Sequence, residues 1–280
     1  HRPTVNLEGD WLQAAESMNT LTPQQKDVLA HPIRAAELEQ VLFKSMKSGK
    51  APGNDGLTVS LYRALWKQLK VPLLEAFEEG ILEERLCPSQ TQAIIRLIRK
   101  KDKDPSLIKN WRPISLMNVD VKLLSAALAN RLKPMIPHLV SKEQLGFVQG
   151  RLITDGTKLL QYIVEEASKH EKPAIVAAID FEKAFDSISH SYITSTLAAA
   201  GIPDYFIKCF RTLYNNAEAS VINNSMTTRY FPVTRSCRQG DPIAPYLFIL
   251  ALDPLIRRIV NDNTITGYKT RDDHIKLSAY

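Results

Sequence analysis

Asp180 follows an apolar run of strand length, residues 174–179, so a carboxylate stands where a buried central strand would reach the edge of a sheet. From there an acid can ligate a divalent metal, and two such ions about 3.5–4 Å apart can activate a hydroxyl and neutralise a phosphate leaving group. A lone Asp after a strand is more commonly a turn or N-cap residue, so its neighbours decide between the roles. Two other groupings invite chemistry. Residues 94–112 hold seven bases (Arg96, Arg99, Lys100, Lys101, Lys103, Lys109 and Arg112) against only Asp102 and Asp104, which suits a polyanion unless the charge is simply solvated. Further on, Gly240 lets backbone approach a substrate closely, and Gln239 beside it offers both a donor and an acceptor.

These residues need elements to hold them. Residues 1–31 show little pattern and are expected to form a loose lead-in. From Pro32 a helix is predicted: Leu38, Val41, Leu42 and Met46 share a face, Glu37 and Glu39 lie early, Lys44 and Lys47 late, and Gly49 ends it. Ala51-Pro52-Gly53-Asn54-Asp55-Gly56 reads as a loop, and two helices follow, divided at Pro72, which suits a first helical turn. Residues 93–98 and 112–116 are predicted strands around a charged loop at 102–110, a basic hairpin. Residues 120–133 read as a helix with Leu123, Leu124, Ala127, Leu128 and Leu132 on its buried face. A glycine-containing stretch at 144–151 leads into a helix ending near His170.

Beyond Asp180, helices at 190–200 and 204–214, the first closed by Gly201, precede a hairpin of 217–223 and 226–232 around Asn223-Asn224. A helix at 245–258 and two short strands, 265–270 and 275–280, come last. Asp272 and Asp273 fall in the polar turn between those strands and are read as turn residues.

The bulk properties are permissive. A chain of 280 residues, 44% apolar, can bury a sizeable core, and a net charge of +6 mildly favours a polyanionic partner. Cys87, Cys209 and Cys237 are too few and too far apart for a disulfide framework or a zinc spacing, which fits a reducing intracellular setting. No apolar stretch is long enough to span a bilayer, and no secretory leader follows His1; the chain reads as excised from something longer.

Five blocks, taken in order, resemble reverse transcriptases of the LINE (non-LTR retrotransposon) type. Lys50-Ala51-Pro52-Gly53-Asn54-Asp55-Gly56 resembles the Pro-Gly-x-Asp-Gly segment ahead of the fingers. Lys100 with Asn110-Trp111-Arg112-Pro113-Ile114-Ser115-Leu116 resembles the family's basic hairpin, although Arg99 stands where proline is usual. Gln144-Leu145-Gly146-Phe147-Val148-Gln149-Gly150-Arg151 resembles the block between fingers and palm. Asp180-Phe181-Glu182-Lys183-Ala184-Phe185-Asp186-Ser187-Ile188-Ser189-His190 resembles motif A, and Arg238-Gln239-Gly240-Asp241-Pro242-Ile243-Ala244-Pro245 resembles motif B, with Ala244 where serine is usual.

The resemblance implies roles. Asp180 would be the catalytic carboxylate that binds both metals, with the Phe181 backbone carbonyl on one of them. Phe185 would lie under the incoming sugar as a steric gate, where a rigid ring excludes a 2′-OH without any polar partner. Lys100 and Arg112 would clamp the triphosphate, one as a point charge and the other by its fork. Gln239 and Gly240 would contact the nucleotide; Pro52, Gly53, Asp55, Gly56, Arg151 and Arg238 would face template RNA. Asp186 and His190 would cap and brace the next helix.

The expected fold is therefore α+β, a right-hand polymerase with helical fingers over 32–172 and an incomplete palm over 173–280, its antiparallel sheet backed by helices. The implied cofactor is Mg²⁺, two ions, with Mn²⁺ as a substitute. The implied partners are an RNA template, a DNA primer and dNTPs, without a membrane, and with an endonuclease domain neighbouring in the full-length protein. The implied location is a cytoplasmic ribonucleoprotein and the nucleus. Leu277-Ser278-Ala279-Tyr280 resembles the approach to the aromatic-Ala-Asp-Asp motif, so residues 1–280 alone are expected to bind RNA without extending a primer. Rival readings are a group II intron or retron-like enzyme, and a non-catalytic RNA-binding relic. The Pro-Ile-Ser-Leu and Gln-x-Gly-Phe wording favours the LINE type.

Overall fold

The computed structural model of the chain describes residues 17–224, 226–270 and 274–279. Most of the expected lead-in, residues 1–16, and the acids Asp272 and Asp273 lie outside them. The remainder of the lead-in is not loose. Helix α1 (Pro23–Ala30) opens on a reciprocal cap, in which the Gln25 amide donates to the Thr22 hydroxyl and the Thr22 amide to the Gln25 side chain. Met18, Leu21 and Leu29 are buried in the main core. A short capped helix needs only a few apolar anchors, too sparse to register as periodicity.

Helix α2 (Ala35–Gln40) runs into a π turn, Val41–Ser45, and buries Leu38, Val41 and Leu42. Its orphan carbonyls are met by Arg63 of α3 (Val59–Ala64), whose guanidinium donates to the Leu42 and Met46 carbonyls at 2.6–3.0 Å. The division expected at Pro72 falls instead at Leu65, and Pro72 sits inside α4 (Trp66–Leu82). That is tolerable because the bond Pro72 omits belongs to the carbonyl of Gln68, a solvent-exposed residue.

After α5 (Pro88–Thr91), strands β1 (Gln92–Arg99) and β2 (Trp111–Leu116) form the expected hairpin. Helix α6 (Val119–Leu132) buries Leu123, Leu124, Ala127, Leu128 and Leu132, as its pattern requires. It is tied to α2 by Arg131, which donates to both Glu37 carboxylate oxygens at 2.6 Å. The short α7 (Ile136–Leu139) and the long α8 (Ile153–Lys169) follow. Next come α9 (Ala184–Ser187), α10 (His190–Ala199) and α11 (Asp204–Tyr214).

Strand β3 (Glu218–Asn223) pairs with both β4 (Met226–Thr227) and β5 (Phe231–Pro232); α12 (Ala244–Asn261) then leads to the small pair β6 (Tyr268–Lys269) and β7 (His274–Ile275). The architecture is α+β, as expected, and α6, α11 and α12 share one apolar core.

Two expectations about the sheet need correction. The main sheet runs β2-β1-β3-β4, with β5 also on β3, and β1 pairs with β3 in parallel from Gln92 opposite Glu218 to Arg96 opposite Ile222. It is mixed rather than antiparallel, and it joins the basic hairpin to a strand of the expected palm. Residues 174–179, expected as a buried central strand, belong to no strand or helix and are exposed, with Ile175 at 97% and Ile179 at 77%. An uninterrupted apolar run is buried only where sheet neighbours cover both faces, and no described strand pairs with this one.

Candidate functional site

In the hairpin, Arg96 stands opposite Ile114 and Ile98 opposite Arg112, and the Lys100 amide extends the ladder to the Asn110 carbonyl at 2.8 Å. Directly opposed and alternate residues share a face. Arg96, Lys100 and Arg112 therefore project on one side, which is exposed at Arg96, Ile98 and Arg112. The Lys100 ammonium rests on the Lys109 carbonyl at 3.0 Å, and Arg112 is free of ion pairs among the described residues. Pro113 is tolerated in β2 because that strand is an edge.

The motif A stretch divides at Lys183, which takes the left-handed conformation at φ +54°. Before it, Asp180 and Phe181 are exposed. After it, the chain is stitched to the segment entering motif B: the Cys237 amide donates to Phe185 O at 2.8 Å and the Ser236 amide to Ile188 O at 2.9 Å. The Phe185 ring stacks on Phe248 of α12, centroids 4.4 Å apart, and meets Phe147 edge-on at 6.3 Å. Three segments remote in sequence thus converge at the ring that the resemblance implies as a sugar gate. Phe248 carried no sequence signal beyond its helical position.

A two-metal centre needs several converging carboxylates. Among the described residues no three His, Cys, Asp or Glu side chains come together as a metal site, so Asp180 and the Phe181 carbonyl do not by themselves fit the pair of ions.

His190 starts α10, its Nε2 3.1 Å from Ser236 O and its ring edge-on to Tyr214 at 5.1 Å. Burial pushes its pKa down, against the pull of the Ser236 carbonyl, and the Arg238 charge adds to burial. The folded state then binds fewer protons than the unfolded one, so this contribution is present above about pH 6.5 and is lost as pH falls through the lower folded value. Thermal melts are expected to drop on acidification through this window, and His190→Gln should flatten that slope. An unchanged slope would remove His190 from the account.

Motif B is anchored against β2. The Ser115 amide donates to Gln239 O at 3.1 Å, and Gly240, at φ +103°, passes so close that a Cβ would lie 3.1 Å from Ser115 O. Gln239 is half-buried and Gly240 exposed. Asp241, by contrast, is buried.

Two arginines expected to face template are turned inward. Arg238 is buried, donates to the Leu213 carbonyl and lies over the Tyr214 ring at 4.6 Å. Arg151 donates to the Ser141, Gln144 and Pro137 carbonyls, bracing its own loop. Backbone carbonyls take the Arg151 donors that a phosphate would need, and burial takes Arg238 out of its reach.

The Pro-Gly-x-Asp-Gly turn is pressed against the start of α6. Gly53 is buried there, and a Cβ on it would stand 2.1 Å from Asn118 Oδ1 and 2.6 Å from the Met117 carbonyl carbon. Asn118 also donates to Ser89 O at 2.9 Å, and the Leu57 amide donates to the Asp55 carboxylate at 2.9 Å. Asn54, Asp55 and Gly56 remain exposed, and Pro52 is half-buried. Asn118 is a positioning residue that its neighbours in sequence did not announce.

With this geometry in view, a family model described as "Reverse transcriptase (RNA-dependent DNA polymerase)" matches residues 98–279. The transposon TX1 uncharacterized 149 kDa protein of Xenopus laevis is 32% identical over 265 residues, 95% of this chain and 20% of the relative. The retrovirus-related Pol polyprotein from the type-2 retrotransposable element R2DM of Drosophila melanogaster is 28% identical over 91% of this chain and 24% of its own length. The RNA-directed DNA polymerase from mobile element jockey of Drosophila funebris is 26% identical, over 93% and 28% respectively. The chain thus spans between 20% and 28% of the length of these relatives.

Proposed function

Because the chain belongs to the reverse transcriptase (RNA-dependent DNA polymerase) family, with relatives from non-LTR retrotransposons, we propose that the protein extends a DNA primer with dNTPs on an RNA template. The observation that supports this most directly is the convergence on Phe185: motif A is bonded to the segment entering motif B, and its ring meets Phe147 and, from α12, Phe248. In this reading residues 32–172 are the fingers and 173–280 belong to the palm.

The family generally uses divalent metals. Here Mg²⁺, replaceable by Mn²⁺, would be held by Asp180 and the Phe181 carbonyl together with acids that the described residues do not supply. Lys100 and Arg112, on one hairpin face, would bind the triphosphate, and the Gln239–Gly240 backbone would border the nucleotide. The exposed turn at 54–56 would meet the template, with Gly53 and Pro52 setting its position. Catalysis would then rest on holding the primer hydroxyl and nucleotide in line and on neutralising charge.

An endonuclease domain in the full-length protein would supply the nick for priming. No helix among the described residues is long and apolar enough to cross a membrane. The buried thiols Cys209 and Cys237 are both pushed up to about 12 chiefly by burial, which keeps them unreactive. The location proposed for the full-length protein is a cytoplasmic ribonucleoprotein and the nucleus.

Primer extension by the full-length protein tests the reading. dNTP incorporation on an RNA template is expected, with ribonucleotides rejected; Phe185→Val should raise ribonucleotide use by roughly one to two orders of magnitude, an effect of the size set by one steric contact. Failure of the wild type to extend any primer on RNA would sink the proposal.

A further inference from the structure

We propose that Asp241, gripped by the hydroxyls of Ser125 and Tyr214, is a positioning latch that fixes the Gln239–Gly240 backbone at the nucleotide site. The inference rests on the polymerase reading above and adds residues to it. Asp241 is 3% exposed, Ser125 0% and Tyr214 2%, and they come from the turn before α12, from α6 and from the end of α11. One carboxylate oxygen accepts the Ser125 hydroxyl and lies 3.4 Å from the Ile243 amide; the other accepts the Tyr214 hydroxyl at 2.9 Å. Ser125 in turn accepts the Ile243 amide at 3.2 Å, so its hydroxyl both donates and accepts.

Stability alone is a poor reason for this arrangement. A buried carboxylate is costly unless its lone pairs are filled, and well-packed apolar residues usually do as well or better. Asp241 has no ion-pair partner among the described residues; hydroxyl and amide donors sustain it. Such a group specifies a conformation. The conformation specified is that of the adjacent turn, where Gly240 takes φ +103° and Gln239 O accepts from Ser115.

The two hydroxyls are themselves held. The Tyr214 ring lies 4.9 Å from Phe210, 5.1 Å from His190 and 4.6 Å from the Arg238 guanidinium. Ser125 sits on the helix that begins directly after the Lys100 and Arg112 hairpin, and α11 follows the helix that His190 of motif A opens. Nucleotide-facing turn, fingers helix and palm helix are thereby locked at one carboxylate. Losing either hydroxyl would leave packing intact and loosen the turn.

Tyr214→Phe and Ser125→Ala in the full-length protein test this, each removing one oxygen. The dNTP KM on an RNA template is expected to rise about tenfold in each, the scale of one buried charge-assisted bond, with kcat within about twofold and RNA affinity unchanged. The thermal shift produced by dNTP should shrink in parallel, a readout that needs no turnover. Ser125→Thr, which keeps the hydroxyl, should restore both. An unchanged KM and dNTP shift, with or without a lower melting temperature, overturns the latch. A wild type that binds dNTP but extends nothing counts against the polymerase reading, and the shift then decides the latch alone; a wild type lacking both properties overturns both.

Discussion

Gly53→Ala is expected to destabilise the protein by about 3 kcal/mol, the upper range for forcing a methyl into packed surroundings. An added Cβ would stand 2.1 Å from Asn118 Oδ1, 2.4 Å from Asn118 N and 2.6 Å from the Met117 carbonyl carbon. Two of those atoms are backbone at the entry to α6, so no side-chain rotation relieves the overlap. The turn must lift away or the helix start must shift, and either breaks the Asn118 bond to Ser89 O. Urea denaturation reads the loss. Gly56→Ala, at φ +71° with nothing within 4 Å of the added carbon, should cost clearly less. Equal effects at the two positions would refute the packing argument.

The contrast shows where sequence reasoning reached and where it stopped. Helix α11 matches its predicted limits, and α10 ends one residue early, because their apolar faces and end residues are contained within the segments themselves. The hairpin was equally legible, since strand pattern and loop length fix its register locally. That Lys100 and Arg112 share a face follows from that register. Gly53 could be recognised as a turn glycine, but its real constraint is Asn118, which no local pattern links to it. Residues 174–179 failed for the complementary reason: their pattern describes a strand only when partners are present. Arg151 and Arg238 misled because a guanidinium reads as a ligand group from sequence, whereas here Arg151 is spent on three backbone carbonyls and Arg238 is buried against Leu213 O and the Tyr214 ring.

Asp180→Asn in the full-length protein is expected to cut dNTP incorporation about a thousandfold or more, the scale on which preorganised charge stabilises a transition state. The substitution keeps size and removes the negative charge. Because Asp180 is exposed and lies outside the apolar core, the melting temperature should hardly move. That combination, full stability with lost turnover, separates a catalytic acid from a turn residue. Near-normal incorporation would return Asp180 to the ordinary role of a solvated surface acid. Residues 1–280 alone should bind RNA with a steep dependence on salt, yet not extend a primer.

The parallel pairing of β1 with β3 also constrains how the chain is made. The hairpin can close as soon as Leu116 has emerged from the ribosome, but the far edge of β1 has to wait for Glu218 to Ile222. At synthesis rates of about 10 residues per second that interval is on the order of 10 s. Throughout it β1 presents an unpaired row of amides and carbonyls, with Ile94 and Ile95 only half-covered in the finished fold. The positive charge around this strand, from Arg96 to Arg112, has a use during that delay. Like-charged nascent chains repel one another, so the feature suited to a polyanion also keeps the open edge from pairing with the wrong strand.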